Sequence, residues 1–291
     1  MQYFLAVARE GSFTRAADAL HMTQPPLSRQ IKDLEEELRT PLFDRSGRRV
    51  TLTEEGLLFR ERAQEAVDLF ESIRLEMSAG SESVCGEIRI ACGETEAVSL
   101  IADAARGLRA DHGSVTFRLL SGDGDFVQES LQRGAADLGL LVTGSVDGEA
   151  YDFLELPSKD RWGVLMGEGC ALASHPSVTR DDLAAMPLIL PYRAARSSDL
   201  MAWFGADKDD LDMVATYDLA YNASRFAREG VGLAVALDGI VDVGPGTGLV
   251  FRPLSPALET NLFVVWRKHQ RLPRAAQALV RALRTNATPK A

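Results

Sequence analysis

The chain of 291 residues exceeds one typical domain and has room for about two, each with a sizeable core. Its 46% hydrophobic and 25% charged residues give a globular composition; no apolar run approaches the ~18 residues of a membrane span, and three scattered cysteines (Cys85, Cys92, Cys170) exclude a disulfide framework. A net charge of -10 excludes a surface that binds nucleic acid everywhere, so any DNA contact must be local.

The opening MQYFLAVAREGSF lacks the basic start, apolar stretch and cleavage site of a secretion signal, which makes the cytoplasm the expected compartment. Ser12 is a good N-cap for a helix through Ala16, Ala17 and Leu20. Thr23 opens the next helix, with Pro25 and Pro26 in its first turn, where a missing N–H is harmless. Leu27, Ile31, Leu34 and Leu38 recur on one face of that helix and predict burial there, which leaves Ser28, Arg29 and Lys32 on the other. Two short helices joined by a tight turn, with small polar and basic groups at the start of the second, have the shape that enters a major groove. Residues 42–53 read as strand, Gly-centred turn and strand with Arg45, Arg48 and Arg49 at or beside the tip, a basic wing or a solvated loop.

The segment GSFTRAADALHMTQPPLSRQIKDLEEELRTPLFDRSGRRVTLTEEG resembles the DNA-binding region of LysR-type transcriptional regulators almost residue for residue. The resemblance implies that Thr23, Gln24, Pro26, Ser28, Arg29 and Lys32 face DNA, that Arg45, Arg48 and Arg49 reach backbone or minor groove, and that Ala16, Ala17, Leu20, Leu27 and Ile31 are core. By side-chain chemistry Gln24 and Arg29 suit base edges, whereas Thr23 and Ser28 suit phosphates near a helix N-terminus.

After Thr53-Glu54-Glu55, an N-cap followed by first-turn acids, Phe59, Ala63, Ala66, Phe70, Ile73 and Met77 repeat at alternating spacings of four and three. A seam with a period of about 3.5 predicts pairing with a second copy; packing on the chain's own core is the alternative. A dimer would meet two half-sites of a symmetric operator. Ser78 to Ser83 then ends the helix as a linker.

From Gly86 the pattern turns to strand and helix in alternation. Ile88–Ala91, Val115–Leu120, Leu138–Val142, Trp162–Met166, Pro187–Leu190, Gly230–Leu237 and Leu262–Trp266 read as strands; Ala97–Arg109, Val127–Arg133 and Ala275–Leu283 read as helices. Thr179 and Asp182 have the spacing of a capping box. Parallel sheets covered by helices are expected, with the last strand and helix returning to the first lobe.

GEIRIA, LQRGAADLGLLV, EGVGLAVALD and VVWRK resemble, more loosely, the effector-binding domain of the same family: two α/β lobes joined by crossover strands, similar to periplasmic binding proteins. The expected architecture is α/β, with a winged helix-turn-helix over 1–53, a linker and dimerisation helix over 54–84, and an effector-binding domain over 85–291. Its lobe I spans about 86–158 and 256–291, and its lobe II about 159–255. The resemblance nominates Gly93, Glu94, Thr95, Glu96, Ser121, Gly122, Asp123, Pro191, Tyr192, Arg193, Tyr217 and Tyr221 around a cleft for a small molecule. Thr95 lies near a helix N-terminus that favours an anion, but Glu94 and Glu96 flank it, and Arg193 and Arg196 add the opposite charge, so the ligand's charge stays open.

No GxSxG, HExxH, Walker or GxGxxG pattern occurs, and His21, His112, His175 and His269 lie far apart, so no catalysis, metal or cofactor is expected. The expected partners are duplex promoter DNA, a small-molecule effector, further copies of the chain as homodimer or homotetramer, and RNA polymerase, with no membrane. A solute-binding or enzymatic module carrying a helical adaptor, and a purely architectural DNA binder, are the rival readings.

Overall fold

The computed structural model describes residues 1–45, 50–78, 84–193, 199–205 and 211–287. Two compact units divide the chain, Met1–Ser81 and Glu82–Ala291.

The first unit runs α1 (Gln2–Glu10), α2 (Phe13–Ala19), α3 (Gln24–Leu38), β1 (Phe43–Asp44), β2 (Thr51–Leu52) and α4 (Glu54–Ser78). Gly11 ends α1 at φ 58, a left-handed conformation that glycine adopts without a Cβ penalty, and the Ser12 hydroxyl then accepts from Arg15 N–H to start α2. At Thr23 the side chain makes no capping bond, because the first turn of α3 holds Pro25 and Pro26, which have no N–H to offer. Phe4, Val7, Ala16, Ala17, Leu27, Ile31 and Leu42 form the core, and Phe4 meets Phe43 and Phe59 at centroid distances of 5.0 and 4.8 Å.

Three expectations for this unit need correction. Leu38 is 41% exposed rather than core, because Arg39 turns left-handed at φ 53 and ends the helix before its final turn reaches the core. The strands of the wing are only two residues long, paired Phe43↔Leu52 and Asp44↔Thr51. The stripe on α4 serves two purposes: Phe59 and Ala63 pack into the unit's own core, while Ala66, Phe70 and Ile73 stay exposed. The Met77 side chain lies outside the described residues. Gly56 lets α4 pass so close to Leu42 that a Cβ would strike its carbonyl.

In the second unit β3 (Gly86–Cys92), α5 (Val98–Asp111), β4 (Val115–Ser121), α6 (Gly124–Gln132) and β5 (Leu138–Val142) lead into one 17-residue strand, β6 (Tyr151–Gly167). Then come β7 (Val178–Thr179), α7 (Arg180–Leu183), β8 (Leu188–Pro191), α8 (Asp199–Phe204), β9 (Met213–Tyr217), α9 (Ala220–Arg228) and β10 (Leu233–Leu237). The chain closes with β11 (Leu249–Ser255), β12 (Glu259–Arg267) and α10 (Arg274–Ala287). The capping box at α7 is present: Thr179 Oγ1 accepts from Asp182 N–H, and the Asp182 carboxylate accepts from Thr179 N–H.

The sheet order β4-β3-β5-β12-β6-β10-β8-β9 passes through both lobes. In lobe I, Ile88, Ile90, Leu138, Leu140, Leu262 and Val264 face α5 and α10, and Ala91, Leu141, Phe263 and Val265 face α6. This alternation is the period of two that a sheet covered on both sides requires. Lobe II repeats the scheme, with Val164, Leu188 and Val235 toward α7 and α8, and Leu165, Ile189 and Ala234 toward α9. Residues 151–161 of β6 pair with β12 in lobe I, and residues 162–167 pair with β10 and β11 in lobe II. The two lobes are therefore joined by β6 and by the turn from β11 to β12.

A buried ion pair pins β5 to β3. Asp137 accepts from Arg89 Nη2 at 2.7 Å, from its Nε at 3.3 Å and from its backbone N–H at 2.9 Å, with side-chain exposures of only 2% and 12%. Removing one member of a buried pair strands the other, at a cost of about 3 kcal/mol or more. Asp137→Ala should lower the urea midpoint of the second unit accordingly and Asp137→Asn by less; equal effects would refute a role for the charge.

Asp160 and Thr260 are paired where β6 crosses between the lobes. Asp160 is buried and Oδ2 has no hydrogen-bond partner among the described residues. Burial raises its carboxyl pKa; a hydrogen bond with Thr95 opposes this, and the nearby Glu96 and Asp238 charges add to the rise. A carboxyl with a native pKa above its unfolded value destabilises the fold as pH rises: the cost is absent below the unfolded pKa, grows between the two values and is complete above the native one. Asp160→Asn should therefore raise the thermal midpoint at neutral pH, with the gain shrinking on acidification. A gain independent of pH would count against this origin.

Candidate functional site

Two places in the molecule gather groups that bind rather than merely fold. The first is the N-terminal half of α3. Leu27 and Ile31 are fully buried beneath it, which turns Thr23, Gln24, Pro26 and Arg29 outward to solvent, with Ser28 half-buried at the edge. Arg29 makes no ion pair or hydrogen bond among the described residues, and Lys32 pairs with Glu36 at 3.3 Å on the exposed surface, a weak tie. Gln30, exposed beside Arg29, was missed by the sequence reading, although a second amide at the start of such a helix is a signal of the same kind as Gln24. The second half of the helix carries Asp33, Glu36 and Glu37 outward, so the surface that suits a polyanion ends near Lys32.

Glu35 turns the other way and organises the wing. One oxygen accepts from Leu42 N–H at 2.8 Å and Phe43 N–H at 3.1 Å, and the other accepts from Arg45 Nη2 at 2.7 Å. The Arg45 guanidinium also stacks 5.0 Å from the Phe13 ring centroid. Arg45, expected at DNA, also ties the wing base to α3, with its side chain 41% exposed. Arg48 and Arg49 lie outside the described residues.

The second place is a cavity of about 540 Å³ between the lobes of the second unit, a size that suits a small organic molecule. Of the nominated residues, Gly93, Glu94, Gly122, Asp123, Pro191, Arg193 and Tyr217 line it. Thr95, Glu96, Ser121, Tyr192 and Tyr221 do not. Thr95 is buried behind the wall, where its hydroxyl accepts from Ala97 N–H and bonds Asp160, so the anion expected beside it is the protein's own carboxylate. Tyr221 is turned to Arg225, whose Nη2 donates to its hydroxyl at 2.9 Å. Glu96 and Ser121 are exposed away from the cavity, Tyr192 is 48% exposed, and Arg196 lies outside the described residues. Asp147, Tyr151 and Asp199 also line the cavity and were not foreseen, because they are distant in sequence from the nominated loops and carry no motif.

Contacts already cross this cavity. Glu94 of lobe I accepts a hydrogen bond from Ala220 N–H at the start of α9 in lobe II, a favourable place for a negative charge. Arg193 of lobe II pairs at 3.2 Å with Asp125 of lobe I. The Tyr217 hydroxyl donates to Val235 C=O at 2.8 Å, and its pKa is pushed far up by burial and secondarily by the Glu94 charge, so it remains a phenol. Burial likewise pushes the Cys92 thiol up to about 11, opposite to the reactive thiolate of a redox sensor. Among the described residues no cluster of His, Cys, Asp and Glu suits a metal, and no helix is long and apolar enough to cross a membrane.

Residues 1–57 match the family model for bacterial regulatory helix-turn-helix proteins of the lysR family, and residues 81–288 match the LysR substrate binding domain. The HTH-type transcriptional regulator IlvY of Escherichia coli is 31% identical over 214 residues, covering 74% of this chain and 72% of that protein. The regulator BsdA of Bacillus subtilis is 32% identical over 195 residues, 65% of each chain. Among solved structures, full-length CbnR complexed with its target DNA has a TM-score of 0.75 across 98% of each chain at 21% identity, a likeness of fold. The chain therefore belongs to the LysR family of transcriptional regulators, with a helix-turn-helix DNA-binding domain at its N-terminus and an effector-binding domain after it.

Proposed function

We propose that this regulator binds an interrupted palindrome in promoter DNA as a dimer or dimer of dimers, and that a small molecule in the inter-lobe cavity alters that binding. It works in the cytoplasm, performs no catalysis, and answers to RNA polymerase as a further partner. The observation that carries the DNA reading is the N-terminal end of α3: on a chain of net charge -10, Gln24 and Arg29 stand exposed above a fully buried Leu27 and Ile31, without a side-chain partner among the described residues. In this reading Gln24 and Arg29 meet base edges, Thr23, Pro26, Ser28 and Lys32 lie along the backbone, and Arg48 and Arg49 extend the contact from the wing.

Pairing is supported by α4, whose exposed Leu69, Phe70 and Ile73 (52%, 63% and 48%) form an apolar strip beyond the part that packs on its own unit. Such a strip suits a second copy of the same helix, which would present two α3 ends to two half-sites. An effector couples to DNA only if it binds two arrangements of the protein unequally.

Arg29→Ala should cut discrimination between the matched site and a scrambled one by about 1–3 kcal/mol, or roughly fivefold to 150-fold, in mobility shifts at several salt concentrations. Unchanged affinity for both would remove Arg29 from the interface. Replacing Ile73 with Asp should remove about 2 kcal/mol of apolar burial per pairing side chain, about 4 kcal/mol over the two copies, and weaken association about a thousandfold, measured by sedimentation equilibrium. An unaltered oligomer would place the pairing surface elsewhere.

A further inference from the structure

We infer that the inter-lobe cavity receives a small cation, a compound bearing an amine or guanidinium group, rather than an anionic metabolite. The inference rests on reading this cavity as the effector site and adds the chemistry of its occupant.

Charge points that way first. Among the described lining residues are five carboxylates, Glu94, Asp123, Asp147, Asp199 and Asp218, against one guanidinium, Arg193.

The places where an anion would be held are also taken. The N-terminus of α9 is occupied by Glu94, through Ala220 N–H. That of α6 is occupied by Asp123, whose Oδ1 accepts from Phe126 N–H at 2.9 Å. Arg193 is engaged by Asp125 and lies against Gly124 so closely that no Cβ would fit there. An anionic ligand would have to displace a tethered carboxylate at each of these points and then sit among the rest.

What the cavity leaves open are acceptors. Asp199 and Asp218 have no hydrogen bond or ion pair among the described residues. Tyr151 is 6% exposed, lines the cavity, and its hydroxyl has no hydrogen-bond partner among the described residues. That oxygen is itself sealed from solvent and can donate as well as accept, so it is Asp199 and Asp218, the open acceptors, that favour a nitrogen donor. Trp162 and Tyr217 add aromatic walls, which attract a cation through their rings. The cavity of about 540 Å³ accommodates a molecule of the size of a diamine or an aminoguanidine.

The test separates this inference from the reading beneath it. A deproteinised small-molecule extract of the source cells is fractionated at neutral pH on cation and anion exchangers, and each fraction is added to the full-length protein. Thermal midpoint and affinity for promoter DNA are then read, with putrescine and agmatine against succinate as defined probes. The expected result is a response to the cation-exchanger fraction, weakened roughly tenfold or more in Asp199→Asn and in Asp218→Asn. The midpoint of each variant without additive shows whether it has folded. A response confined to the anion-retained or unretained fraction overturns the cation inference and leaves the effector site standing. Silence of every fraction and probe in both readouts overturns both.

Discussion

Everything in the second unit depends on the hydrogen-bond ladder of one strand. β6 changes partners between Arg161 and Trp162, from β12 on one side to β10 and β11 on the other. A ladder cannot slip by one residue without turning every side chain to the opposite face, so this strand fixes the register of both sheets at once. The cavity lies at that change of partners, with Trp162 and Thr260 in its wall and the Trp162 indole donating to Thr260 Oγ1 at 2.8 Å. Few backbone dihedrals separate the lobes, which makes the crossing the natural place for them to pivot.

The acid balance of the chain is distributed with the same economy. Arg89, Arg161 and Arg193 are matched to Asp137, Asp238 and Asp125, and Arg45 to Glu35, so each of these cations serves the fold. Arg29, at the start of α3, is left without such a match among the described residues. On a chain of net charge -10, an unmatched cation at that end of the helix is a local source of positive potential.

Much of this was legible in the sequence. Periodicity located most of lobe I, but it caught only Trp162–Met166 of the long β6 and missed β9, α9 and β11; Ser12, Thr53 and the Thr179–Asp182 box announced their caps because capping is a local rule. What escaped was whatever depends on distant partners. Phe59 and Ala63 share a stripe with Ile73, but only the fold decides that the former pair faces Phe4 and Phe43 and the latter faces solvent. Arg45 looked like a free wing arginine because its Glu35 partner sits ten residues earlier on another element. Thr95 and Glu96 were nominated with their neighbours, yet a turn of chain puts one behind the cavity wall and the other outside it. Tyr151 and Asp199 carry no sequence signal, since each matters only through what lies across the gap.

Glu35 has a wider consequence for regulation. By gripping the start of the wing at Leu42, Phe43 and Arg45 from the middle of α3, it leaves the wing base no independent path relative to that helix. Gly56 locks the first turn of α4 against the same stretch. The DNA-binding head is thus a single lever with α4 as its handle. Any rotation of the first turns of α4 would therefore move α3 and the wing base together.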